Sequence, residues 1–242
     1  MSGSPGHAPS YETVFLDIDG TLLWVDLDVE GYVADLAPYS RGGALTVERA
    51  EAPVWKSVRR HIDGNINYRT PDELAAFKRE NALRVARELE AEAPDELLEE
   101  ISDRRISFNP YPESEKVLAG LRERGKKVYA VSNWDITLAE TLAELGWLGY
   151  FDAVIASAEL GIEKPDPGIF EEALRVAGES ESRERVVHVG NDTDSDVAGA
   201  ASCGIDAVLV SRNGESAEEA RAIVSDLTGL FELPGLAGGT NG

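Results

Sequence analysis

The chain is poor in sulfur and in positive charge. Its one cysteine, Cys203, finds no second thiol in the sequence, so an internal disulfide framework is excluded. Lysines and arginines number 23 against 45 aspartates and glutamates, a formal net charge of −22. That sign repels phosphate backbones and anionic membrane surfaces, which argues against nucleic-acid and membrane partners. No apolar run approaches the ~18 residues of a membrane span. The segment Ser2 to Ser10 lacks the basic and apolar regions of a secretory leader, so a cytoplasmic, reducing location is expected.

What is present is an ordinary globular composition, 43% hydrophobic and 28% charged over 242 residues. The length exceeds one average domain of about 150 residues and falls short of two, as a core domain with a large insertion does. Apolar runs bounded by Gly, Asp or charged residues predict strands at Thr13 to Ile18, Lys127 to Ser132, Ala153 to Ala156, Val186 to Val189 and Ala207 to Val210, with a weaker one near Ile223 and Val224. Helical segments Glu113 to Arg124, Ile136 to Leu145 and Asp194 to Cys203 alternate with them, each followed by glycine. This alternation predicts an α/β fold, a Rossmann-like parallel sheet with helices on both faces. The core is expected at residues 11–23 and 109–233, with mobile tails at 1–10 and 234–242.

Residues 24–108 interrupt the alternation where a βα connection normally takes about 2 to 6 residues. Thr70, Pro71 and Glu73 supply an N-cap, a first-turn proline and a capping-box acid, and Leu74, Phe77, Val85 and Leu89 then share one helical face with Asn81 among them. The insertion is expected to be a mainly helical subdomain. Asn81 is either a buried, paired amide or a polar contact in a cleft.

In open parallel sheets ligands bind beyond the carboxyl ends of the strands, and the polar residues of this chain gather there. Asp17-Ile18-Asp19-Gly20-Thr21 follows the first strand, Ser132-Asn133 closes the second, Lys164-Pro165 follows the third, and Gly190-Asn191-Asp192-Thr193-Asp194-Ser195-Asp196 follows the fourth. Carboxylates, one lysine and one hydroxyl thus face one edge.

This order resembles the haloacid dehalogenase-like hydrolase superfamily, in its phosphatase branch with a helical cap inserted after the first motif. FLDIDGTLL at Phe15 to Leu23 and GIEKPDPGIF at Gly161 to Phe170 carry the resemblance. It implies a phosphatase for a small phosphomonoester. Asp17 would be the nucleophile, forming an aspartyl-phosphate, and a Mg²⁺ ligand. Asp19 would be general acid and base and bind Mg²⁺ through its main-chain carbonyl. Ser132, Asn133 and Lys164 would hold the phosphoryl group. Many relatives have Gly-Asp where this chain has Gly190-Asn191-Asp192, so the last metal ligand is open. Asp192 is favoured, with Asp196 as a nearby acid and Asn191 as the alternative. Other readings on the same fold are a 2-haloacid dehalogenase, which needs no acid at Asp19, a sugar-phosphate mutase, or a binding protein without turnover. His188 reads as a hydrogen-bonded core histidine. Arg59, Arg60 and Arg69 are candidates for an anionic substrate group, and Trp24, Trp55, Tyr68 and Trp134 for packing or substrate contact. The particular substrate and the oligomeric state are not legible.

Overall fold

A computed structural model describes residues 10–237. The chain forms strands β1 (Thr13–Leu16), β2 (Leu23–Leu27), β3 (Ile106–Pro110), β4 (Lys127–Ser132), β5 (Ala153–Ala156), β6 (Val186–Gly190), β7 (Asp206–Val210) and β8 (Ala222–Val224). Helices α1 (Val29–Leu36), α2 (Val47–Gly64), α3 (Pro71–Glu88) and α4 (Asp95–Arg104) lie between β2 and β3 in sequence. Helices α5 (Ser114–Glu123), α6 (Leu138–Glu144), α7 (Ser157–Leu160), α8 (Pro167–Ala177) and α9 (Gly199–Ser202) follow.

Six strands make one parallel sheet in the order β5-β4-β1-β6-β7-β8. All six strands expected from the sequence are there, the weak one included. Val14, Phe15 and Leu16 of β1 are wholly buried, as a strand covered on both faces must be. On α8, Ile169, Phe170, Ala173, Leu174 and Ala177 form one apolar face that packs on Phe15, Tyr129, Val131 and Ile155. The helix starts where the Asp166 carboxylate accepts the Gly168 N–H at 2.7 Å, with Pro167 at its first position. Strand order reverses at β1, which lies between β4 and β6, and a crevice opens at such a switch point.

The contacts divide the chain into two units. One holds the described residues up to Trp24, Pro110–Asn133 and those from Thr137 onward; the other holds Val25–Asn109 and Trp134–Ile136. The second is built on α1–α4 and has its own apolar core, including Tyr32, Leu36, Val54, Val85, Leu89, Leu98 and Ile101. Its α3 begins with the expected capping box: Thr70 accepts the Glu73 N–H, and the Glu73 carboxylate accepts the Thr70 N–H at 3.1 Å. Asn81 is a paired amide. Its oxygen accepts from Arg60 at 2.9 Å and its nitrogen donates to the Ser57 carbonyl at 3.0 Å. A His61 ring nitrogen lies 3.1 Å from the Asp135 carboxylate, and Phe77 stacks between His61 and Tyr68.

Three features depart from expectation. The strands β2 and β3 form a separate two-stranded sheet at the two ends of the insertion. Residues 193–198, expected as plain helix, make a π-helical turn before α9. The tails at 1–10 and 234–242 lie mostly outside the described residues, but the described part of the second is docked: Leu236 is buried, and Lys126 donates to the Gly235 carbonyl at 2.9 Å. Among the described residues no helix is long and apolar enough to cross a membrane.

Candidate functional site

Pairing with β6 continues one residue past β1, because the Asp17 N–H donates to the Val189 carbonyl at 2.9 Å. The chain then turns sharply. The Ile18 carbonyl accepts the N–H groups of Thr21, Leu22 and Leu23, and Gly20 sits at φ +78°, a conformation glycine adopts at no steric cost. This turn leaves Asp17 buried at the sheet edge and Asp19 exposed. One Asp17 oxygen accepts from Ser132 Oγ at 3.0 Å and from Lys164 Nζ at 2.7 Å, and the other lies 3.2 Å from Thr21 Oγ1. Residues from β1, from the end of β4 and from the loop after α7 therefore meet on one carboxylate.

Lys164 is only 3% exposed and bridges two acids, donating to Asp196 Oδ1 at 2.6 Å as well as to Asp17. Asn133 holds its backbone: the Asn133 side-chain oxygen accepts the Lys164 N–H at 2.7 Å and its nitrogen donates to the Lys164 carbonyl at 2.8 Å. Asn133, expected to contact phosphate, thus has both ends of its amide engaged with the Lys164 backbone. Burial pushes the Asp17 carboxyl above its ordinary range, against the opposing pull of Lys164. Burial acts on Asp196 in the same direction, but there Lys164 and His188 outweigh it and hold the carboxyl well below the usual range. Burial would lower the Lys164 ammonium, yet the two acids raise it and keep it charged.

The loop after β6 gives Asn191, Asp192 and Asp196 different partners. The exposed Asp192 carboxylate is the N-cap of the following turn, accepting the N–H groups of Asp194 at 3.0 Å and Ser195 at 2.6 Å. Asp196 is turned inward by the π-helical turn, with one oxygen on the Asp192 N–H at 3.0 Å and the other on Lys164. Asn191 is the residue that reaches the loop after β1. Its side-chain oxygen lies 3.1 Å from Thr21 Oγ1, and a Cβ on Gly20 would fall 2.3 Å from its nitrogen. Among the described residues no group of three or more His, Cys, Asp or Glu side chains is placed to hold a metal ion. Asp192, expected as a metal ligand, is engaged in capping, whereas the Asn191 side-chain oxygen faces Thr21 beside Asp17. Oxygens of Asp17 and Asn191 instead converge on a hydroxyl with a single proton to give, an excess of oxygen acceptors that suits a hard cation such as Mg²⁺.

Sequence reading missed Thr21 and Arg212. Thr21 lay inside the first motif, four residues after Asp17. Arg212 lay in no motif: its guanidinium donates to the Thr21 carbonyl at 3.0 Å, pairs with Glu113 at 2.8 Å and stacks 3.4 Å from the Tyr111 ring centre, so it braces the turn from outside. No local pattern in the sequence signals that contact. Of the arginines in the insertion, Arg60 is engaged with Asn81, while Arg59 is exposed.

A family model described as haloacid dehalogenase-like hydrolase matches residues 11–204. A glyceraldehyde 3-phosphate phosphatase from Methanothermobacter thermautotrophicus is 36% identical over 138 residues, 52% of this chain and 59% of that protein. A phosphoserine phosphatase from Thermus thermophilus is 37% identical over 154 residues, 60% of this chain and 61% of that protein. The match thus spans about three fifths of the length of these two relatives. Among solved structures, a 2-haloacid dehalogenase from Pseudomonas syringae superposes with a TM-score of 0.61 at 23% identity, covering 92% of this chain and 97% of the other, a likeness of fold. With four strand ends delivering Asp17, Ser132, Lys164 and the Asn191–Asp196 loop to one edge, and a family match across most of its length, the chain belongs to the haloacid dehalogenase-like hydrolases.

Proposed function

We propose that this chain hydrolyses a small phosphomonoester through an aspartyl-phosphate on Asp17, with Mg²⁺ as cofactor. The observation that carries the reading is the buried Asp17 carboxylate, held by the Ser132 hydroxyl, the Lys164 ammonium and the Thr21 hydroxyl at the end of the central strand. A carboxylate fixed in this way has its rotational freedom removed before substrate arrives. An oxygen of Asp17 attacks phosphorus as the bond to the leaving oxygen breaks, and protonated Asp19 gives its proton to that oxygen, releasing an alcohol. Asp19, now a carboxylate, takes a proton from water, whose oxygen attacks phosphorus. The Asp17–phosphorus bond breaks, and inorganic phosphate and the Asp17 carboxylate result. Ser132 and Lys164 donate to the phosphoryl oxygens throughout.

Asp17, the main-chain carbonyl of Asp19 and Asn191 would hold Mg²⁺, which when bound offsets the negative charge that otherwise separates a carboxylate from a phosphate dianion. Two relatives named for three-carbon phosphomonoesters, glyceraldehyde 3-phosphate and phosphoserine, support a small substrate. The inserted helical segment serves as the cap that selects the leaving group. An exposed acid at Asp19, two residues from the nucleophile, favours phosphoryl transfer over dehalogenation, whose attack on carbon needs no leaving-group acid there.

The test is phosphate release from a panel of phosphomonoesters, three-carbon phosphates included, with Mg²⁺ and with chelator. Activity should appear with Mg²⁺, vanish in chelator and be absent from Asp17→Asn, whose far-ultraviolet circular dichroism should match the parent. Full activity in chelator, or near-parental turnover by Asp17→Asn, overturns the reading.

A further inference from the structure

We propose that His188 is a positioning residue, holding the Lys164 ammonium against Asp17 by way of Asp196. The inference rests on the reading of Lys164 as a phosphoryl-binding group. His188 stands in the middle of β6 with Val187 and Val189 beside it, and all three are wholly buried. An aliphatic side chain would fill such a site without the desolvation that an imidazole suffers, so the imidazole needs a partner that compensates it.

That partner is Asp196. A His188 ring nitrogen, Nε2, lies 2.9 Å from Asp196 Oδ1, and because a carboxylate only accepts, Nε2 carries the proton. The other ring nitrogen, Nδ1, is buried without a hydrogen-bond partner, so the ring's polar engagement is confined to this one contact. Phe170 meets the ring edge-on at 5.1 Å and fixes its plane. The same Oδ1 receives Lys164 Nζ at 2.6 Å, and Nζ reaches on to Asp17 at 2.7 Å. Four buried side chains thus run in series from His188 to the nucleophile.

Asp196, the second member of the series, is held from its other side as well. Asp196 Oδ2 accepts the Asp192 N–H at 3.0 Å, and the carboxylate lies over Gly190, where a Cβ would fall 2.1 Å from its Cγ. Three donors, His188, Lys164 and the Asp192 N–H, and one steric wall therefore fix the Asp196 plane. His188 supplies the donor that determines where Oδ1 sits, and Oδ1 is one of the two points between which Nζ is suspended. Without His188, Oδ1 keeps Lys164 as its one donor, and the carboxylate tilts about its Asp192 contact toward Lys164 and draws the ammonium away from Asp17.

The test compares His188→Leu, which keeps volume and loses the donor, with His188→Gln, whose terminal amide retains one at similar reach. With a general phosphomonoester, His188→Leu should lower kcat about 10- to 100-fold, the order expected for an ångström-scale misplacement of a reacting group, with KM changed less than about twofold. His188→Gln should recover to within about threefold of the parent, an outcome that packing alone does not produce. A crystal structure of His188→Leu should show Nζ withdrawn from Asp17. Equal loss in both variants, unchanged kcat in His188→Leu, or Nζ still in hydrogen-bond contact with Asp17 in that crystal overturns the proposal. A parent protein without phosphatase activity would overturn the reading of the reaction instead, and the position of Nζ in the variant crystal would still decide the role of His188.

Discussion

The charges at the sheet edge and the surface charges of the helical unit live in different solvents. At the sheet edge Asp17, Lys164 and Asp196 are 6%, 3% and 1% exposed, and their bonds link one another. In the helical unit many ion pairs lie at the surface, as in Arg41–Glu92, where both side chains are at least 70% exposed, although the Asp135 carboxylate beside His61 is buried. Water and salt screen pairs of the second kind, so they contribute little to stability. The first kind is costly to desolvate and is tolerated only as a compensated set. The helical unit therefore owes its stability to Leu36, Leu89, Ile101 and their neighbours, whereas the sheet unit uses its apolar layers to sustain a group of charges at their rim.

Lys164→Met probes that difference most severely. It leaves the buried Asp17 and Asp196 carboxylates without the ammonium between them, and the expected loss is about 3–5 kcal/mol in urea unfolding at pH 7.5. The sign with pH follows from Asp17, whose folded-state pKa burial already raises: protonation relieves the cost, so the deficit should shrink as pH falls through that raised value. A deficit that is small, or that grows on acidification, breaks the contrast between the units.

Leu89→Ala sharpens the contrast from the apolar side. Leu89 is 1% exposed in the core of the helical unit, and truncation should cost about 2–5 kcal/mol. Hydrolysis of a small activated ester at temperatures where the variant stays folded should persist, because the strand-end residues are untouched. A variant that is folded but inactive toward every ester would show that the two units do not divide stability and chemistry in this way.

Within the rim, Asn191→Ala should raise the Mg²⁺ concentration needed for half-maximal activity more than Asp192→Ala does, since Asp192 is occupied with capping. Metal titration of both variants checks the order, and the reverse order would return the ligand to Asp192. The mildest change is Thr70→Ala, which removes one half of the capping box at the start of α3. It should cost about 1 kcal/mol in urea unfolding, with kcat unaffected.

Much of the scaffold was legible because its signals are local or periodic. The β1 run ending in Asp17, the α3 start at Thr70-Pro71, and even the short Ala222–Val224 strand announce themselves within a few residues. The β2–β3 pair did not, because its strands meet across an insertion of about eighty residues and neither has a distinctive pattern alone. Side-chain competition was the other blind spot. Spacing places Asn133, Asn191, Asp192 and Asp196 in the right loops, but it cannot say which one caps a turn, which grips a backbone and which turns inward. That division depends on the π-helical turn at 193–198 and on space left free elsewhere.

That space belongs to Gly20 and Gly190. Each is the mould of a neighbour, the first filled by the Asn191 amide and the second by the Asp196 carboxylate. Gly20 and Asn191, distant in the chain, and Gly190 and Asp196, in one loop, thereby constrain each other in pairs: a methyl group at either glycine evicts its tenant, and a smaller tenant leaves a hollow. In a saturation library selected for phosphate release, both glycines should return unchanged, and a tolerated alanine at Gly190 should appear only in company with a replacement of Asp196.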